Sequence, residues 1–144
     1  MQLSRYFSLE EMTFSQTAAR RGIANQPNDK QRAALTALCK HVLDPLREHL
    51  GSPVRISSGL RVPAVNRLVG SDDSSQHVLG EAADLIVPGY TVRQVVDTIQ
   101  ALRLPFDQLI DEFSSWTHVS YGPRNRRQVL KARTVGGKTR YTPL

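Results

Sequence analysis

The chain has 144 residues, 40% of them hydrophobic and 22% charged; this is a globular composition, rich enough for one ordinary core, and it excludes an intrinsically disordered chain. No apolar run approaches the roughly 20 residues a membrane span needs, and the single cysteine, Cys39, excludes internal disulfides and cysteine-rich zinc sites. The formal charge of +6 belongs to the C-terminal end: seven Lys and Arg and no acid follow Tyr121, whereas the first 120 residues hold 12 bases and 13 acids.

The opening MQLSRYFSLEEMTF lacks the apolar core of a signal peptide, so synthesis in the cytoplasm with no export route of its own is expected. Ser8-Leu9-Glu10-Glu11 predicts a helix start, with Ser8 as N-cap and Glu11 completing a capping box. Asn28 or Asp29 can cap a long helix over about 30–50 that stops at Gly51, and Pro45 should kink or divide it. Cys39 shares helical spacing with Leu35, Leu38, Val42 and Leu46, which predicts a buried structural thiol. His41 and His49 fall among charged residues and are expected at the surface.

Val54-Arg55-Ile56 predicts a short strand running into Ser57-Ser58-Gly59-Leu60-Arg61, and Pro63 then opens a helical turn toward Val69. A Ser/Asp/Gly loop at 70–75 precedes a strand over 82–87, ended by Pro88-Gly89. An amphipathic helix follows over 91–102, then strands over 106–112 and 116–121 joined through Ser114-Ser115. A last hairpin is expected to turn on Gly136-Gly137. Helices first and hairpin-linked strands afterwards predict an α+β fold with N-terminal helices and a small, mostly antiparallel sheet. The whole of 1–144 reads as a single domain whose basic segment covers about 122–144.

Asp84 sits within Ala82-Ala83-Asp84-Leu85-Ile86-Val87, which has the look of a buried strand. A buried carboxylate without a partner is costly, so an arginine or a metal must meet it. Strand parity puts Asp84 on one face with Ala82 and Ile86, and His118 on one face with Trp116 and Ser120. His77 lies in a Ser/Gln/Gly segment that a loop can fold back over the same place. Zinc takes His nitrogen and carboxylate oxygen, and a catalytic zinc keeps three protein ligands. The plainer reading is a chance His-x6-Asp spacing and a hydrogen-bonded strand histidine.

Three blocks, SSGLRVPAVN (57–66), SQHVLGEAAD (75–84) and DQLIDEF…WTHVSY (107–121), resemble the signatures of the zinc D-alanyl-D-alanine carboxypeptidase family. That family includes phage L-alanyl-D-glutamate endolysins and is related to the hedgehog signalling domain. FSLEEMTFSQTAARRGIANQP near the start and RNRRQVLKA in the tail resemble its compact phage-encoded version. The resemblance implies one Zn²⁺ held by His77, Asp84 and His118. It also implies a peptidase acting on peptidoglycan stem peptides, as a carboxypeptidase or endopeptidase of a phage or prophage lysin.

Amide hydrolysis also needs a general base, and Asp111 and Glu112 both precede His118 suitably. A two-residue turn at Ser114-Ser115 would put Asp111 on the His118 face; a three-residue loop would put Glu112 there. The residues leave that open, and the resemblance favours Glu112. Some family members carry a second histidine where this chain has Trp116, which is expected instead to wall the substrate groove. Arg61 presents a planar fork for a substrate carboxylate, or else a salt bridge to Asp72 or Asp73. Ser75 and Gln76 flank His77 and are expected to help orient substrate or His77.

The expected partner is peptidoglycan, met by a monomer. No aromatic interleaving or motif supports nucleic acid, and no stable membrane association is expected. The basic tail either attracts an anionic envelope or is a solvated strand over 128–133. Enzyme action would then follow holin-type release or arrival on a phage particle. The competing reading is a non-catalytic, zinc-stabilised phage structural or cell-wall-binding module.

Overall fold

The capping box at Ser8 forms as the sequence predicts, with Ser8 accepting the Glu11 amide and Glu11 accepting the Ser8 amide, and it opens α1 (Leu9–Thr13). The computed structural model describes residues 1–144. Ser15 caps α2 (Gln16–Arg21), and Asn28 caps α3 (Asp29–Leu38) in a second capping box with Gln31.

The long helix divides as Pro45 requires. Between α3 and α4 (Asp44–Leu50) lies a π-helical turn, Cys39–Leu43. Pro45 has no N–H for the His41 carbonyl, and its ring crowds that carbonyl. The chain widens just before it, and the Asp44 amide donates five residues back to Cys39 O. Gly51, at φ +63°, ends α4 in the left-handed conformation a helix stop favours.

This helical stretch buries Leu35, Leu38, Cys39, Val42, Leu43 and Leu46. Burial pushes the Cys39 thiol up to about 12, which leaves it un-ionised and structural. His41 and His49 are exposed.

The strands are β1 (Arg55–Ser58), β2 (Ala82–Ile86), β3 (Gln108–Glu112), β4 (Trp116–Ser120), β5 (Gln128–Val135) and β6 (Lys138–Pro143). They form one sheet in the order β1-β2-β4-β3-β5-β6. Every pairing is antiparallel except β3 with β5, which is parallel. The basic tail is thus built into the sheet as a hairpin, turning on Gly136-Gly137 with both φ positive.

Strand alternation gives the sheet two unlike faces. Ala83, Leu85, Leu109 and Val119 point into the core against the helices. There they meet α6 (Val92–Ala101), whose N-cap is Thr91 and whose Val95, Val96 and Ile99 are buried. The opposite face carries the polar residues, and α5 (Pro63–Leu68) follows β1 in the chain.

Candidate metal centre

Asp84 on β2 lies directly opposite His118 on β4. Residues so paired point to the same side with Cβ atoms about 5 Å apart, so strand pairing brings together groups 34 positions apart in sequence. His118 Nδ1 is 3.1 Å from Asp84 Oδ1. His77 reaches the same oxygen from its loop, with Nε2 at 3.3 Å.

That loop is anchored on both sides of His77. His77 Nδ1–H donates to Gly59 O at 2.8 Å, which turns Nε2 toward Asp84, and Arg61 N donates to His77 O at 3.1 Å. Gly59 has to be glycine, because a Cβ there would collide with the Met12 carbonyl. Ser75 Oγ accepts the His77 amide at 3.2 Å, and Gln31 Nε2 on α3 holds Val78 O at 2.9 Å.

The donor set fits zinc. The three ligand atoms lie within 4.8 Å of one another, and zinc ligands sit about 2.0–2.2 Å from the ion, so one ion can touch all three. All three side chains are nearly buried. Burial lowers the His77 pKa against the opposing pull of Asp84, which keeps the ring neutral, the form that binds metal. Burial alone would raise Asp84; attraction and hydrogen bonds from the two imidazoles outweigh it and hold the carboxyl well below the usual range.

The β3–β4 register decides the position of the two neighbouring acids. Glu112 pairs with Trp116 and Ile110 with His118, across a three-residue loop in which Phe113 and Ser114 take positive φ. Glu112 therefore shares the His118 face, and Asp111 points the other way. There Asp111 is engaged, with Lys131 Nζ at 3.0 Å and the Ser114 amide at 2.9 Å. Burial, aided by Asp84 and Asp111, raises the Glu112 pKa against the pull of His118 and Arg61.

A cleft of about 710 Å³ opens over this face, and its walls include Arg61, Ser75, Trp116 and Glu112 with the three ligand candidates. Arg61 does not form the alternative salt bridge. Asp73 pairs with Arg67, Asp72 caps Ser74, and Arg61 Nε is buried with no partner. Burial lowers the Arg61 pKa, while the negative charges of Asp84 and Glu112 oppose that shift. Trp116 packs its ring 5.7 Å from that of Phe113 at the rim.

Three features escaped the sequence reading. Asp107 is fully buried and takes Arg126 Nε and Nη2 in a fork, both at 2.8 Å, with the Arg126 amide at 2.9 Å. Gln76, which the sequence did single out beside His77, also donates to Asp107, at 2.9 Å, and ties the His77 loop to the residue preceding β3. Asn25 spans Thr13 O, Leu60 O and the Val62 amide, which fixes the backbone around Arg61. Tyr141 of β6 lines the cleft. The acid at the head of DQLIDEF was visible as a motif member; its partner, 19 residues on, carried no signal in sequence.

Two imidazoles and a carboxylate on the polar face of the sheet, with a further acid beside them, form the kind of donor set that a metal-dependent hydrolase uses. Residues 5–120 match the peptidase M15 family, and the chain belongs to it. Peptidases of this family are zinc-dependent and act on peptidoglycan, so the chain is a zinc peptidase of that class. No curated protein matches the chain. No helix is long and apolar enough to cross a membrane.

Proposed function

We propose that this chain, as a single domain over 1–144, hydrolyses an amide bond in peptidoglycan stem peptides as a monomeric lysin of phage or prophage type. The observation that carries the reading is the convergence of His77, Asp84 and His118 with Glu112 and Arg61 in one cleft. When bound, Zn²⁺ supplies Lewis-acid polarisation and a water of lowered pKa.

The protein's own groups do the rest. His77, Asp84 and His118 are the ligands, with Gly59 O setting the His77 tautomer. Glu112 takes a proton from the attacking water and returns it to the leaving amine. Its burial and raised pKa suit a group that must hold that proton between steps. Arg61, with no protein partner at Nε, offers its fork to a stem-peptide carboxylate. Ser75 holds the His77 backbone and borders the substrate, and Trp116 walls the groove.

A purely structural zinc module would have no use for Glu112 and Arg61 placed in this way. Release through a holin-type opening, or carriage on a particle, would bring the protein to the wall. The test is hydrolysis of purified murein with and without chelator, with mass analysis of the fragments. Zinc-restored cleavage is expected. Glu112→Gln should keep stoichiometric zinc by elemental analysis yet lose about a hundredfold in turnover. Wild-type turnover in Glu112→Gln, or no cleavage by the zinc-loaded protein, would sink the reading.

A further inference from the structure

The family match ends at residue 120, yet the cleft does not. Its far wall is built from the β5–β6 hairpin, through Leu130, Thr139 and Tyr141, with Arg124 at the start of that segment. Register explains how these residues arrive there. Trp116 pairs with Glu112, Glu112 with Ala132, and Ala132 with Tyr141. Directly paired residues share a face, so Tyr141 stands on the Glu112 side of the sheet.

Ala132 between them is fully buried and has only a methyl group, which leaves room for the Glu112 and Tyr141 side chains to approach over it. Adjacent strands lie about 4.8 Å apart, so the four steps from β2 to β6 span roughly 19 Å, the length of five or six extended residues. Arg61 follows β1 in the chain and Tyr141 belongs to β6, and both line the cleft. A dipeptide held at the metal centre would leave the hairpin half of the cleft bare.

We propose that the β5–β6 hairpin, with Tyr141 as its anchor, is a second half of the peptide-binding cleft. The preferred substrate is then a stem peptide that continues for several residues across β3 toward β6. This rests on the peptidase reading above. The Tyr141 hydroxyl donates to a backbone carbonyl of that peptide, and its ring covers the chain. Partial burial, and the negative charges of Glu112 and Asp84, raise the phenol above its ordinary value, so it remains a donor at neutral pH.

Calorimetry with the zinc-loaded full chain tests this, on a Glu112→Gln background that halts turnover. The probes are D-Ala-D-Ala and a murein stem pentapeptide. The pentapeptide should bind about tenfold more tightly than the dipeptide. Tyr141→Ala should remove most of that advantage, and Tyr141→Phe, which keeps the ring and the strand, should cost the pentapeptide roughly fivefold. Dipeptide affinity should be unchanged in both variants. Equal affinities for the two peptides, no binding of either, or a pentapeptide advantage that survives Tyr141→Phe and Tyr141→Ala overturns the proposal. Should Tyr141→Ala fail to fold, the Tyr141→Phe result decides. Cleavage by the parent protein is read separately. Tyr141-dependent binding without cleavage would end the peptidase reading and leave the cleft assignment standing; cleavage without a length preference would do the reverse.

Discussion

Three aspartates are buried in and beside this sheet; Asp111 pairs with Lys131, and the other two, Asp107 and Asp84, are answered in opposite ways. Asp107 receives the forked guanidinium of Arg126, the Arg126 amide and Gln76 Nε2, all within 2.9 Å. Asp84 receives only two ring nitrogens, at 3.1 and 3.3 Å, both on one oxygen. A carboxylate whose lone pairs are filled by short, charge-assisted bonds is a strut. One left with imidazoles and open space above it keeps coordination capacity for a cation. Burial alone therefore says only that something must meet the charge; the donor count says which kind of site it is.

The sharpest way to break this comparison is to remove each metal-ligand candidate in turn. His77→Ala, Asp84→Ala and His118→Ala should each abolish hydrolysis and leave zinc well below one equivalent by elemental analysis, because a three-ligand site has none to spare. Near-stoichiometric zinc in all three would move the ion elsewhere.

Arg126→Ala should act on the other aspartate and give a different phenotype. It strands a buried charge, at a cost on the order of 3 kcal/mol or somewhat less, since Arg126 is itself partly exposed. That should lower Tm by roughly 5–10 °C while zinc at saturation is retained. Loss of zinc with an unchanged Tm would erase the distinction between strut and site.

Acid should expose the same contrast more gently. Burial pushes the Asp107 pKa up, but the Arg126 and Gln76 bonds outweigh it and hold it below the ordinary value. Stability from a depressed carboxyl is in full above its unfolded pKa, about 3.9, and is lost as pH falls through the lower folded value. Metal-free protein should therefore weaken below roughly pH 4, and Asp107→Asn should start weaker and flatten that part of the curve. Urea midpoints from pH 2.5 to 5 would read it, and parallel curves for the two proteins would count against the assignment.

The smallest effect belongs to the free charges of the tail. Arg126, Arg127 and Lys131 are tied down, to Asp107, to Leu104 O with the Phe106 ring, and to Asp111. Arg133, Lys138 and Arg140 are exposed on the edge hairpin. Changing these three to glutamine should slow lysis of intact wall a few-fold at low salt and leave a soluble muropeptide unaffected, since screened attraction acts on encounter. Identical salt profiles for the two proteins would leave the hairpin charges without a targeting role.

Much of this was readable from residues because it is local. The caps at Ser8 and Asn28, the stop at Gly51 and the interruption ahead of Pro45 each depend on chemistry within one turn of chain. Period-2 alternation likewise put Asp84 and His118 on definite faces. Glu112 against Asp111 was not readable, because parity turned on whether the β3–β4 loop holds two residues or three, and Phe113-Ser114-Ser115 has no glycine or asparagine to mark it. Phe113 and Ser114 take positive φ, with the Phe113 amide donating to Ala132 O on β5 and the Ser114 amide to Asp111 Oδ1 on β3.

The sequence by itself determined the types of group present: an α+β chain with two histidines and an aspartate in metal-compatible positions, and a basic end. Only the tertiary structure decided which groups meet. Parallel docking of β5 on β3 brings Arg126 to Asp107 and Tyr141 into the Glu112 row, over separations of 19 and 29 residues. Such contacts come from strand pairing between distant segments, whose free energy lies in ladder bonds and a shared core, and neither leaves a period or a cap in the local sequence.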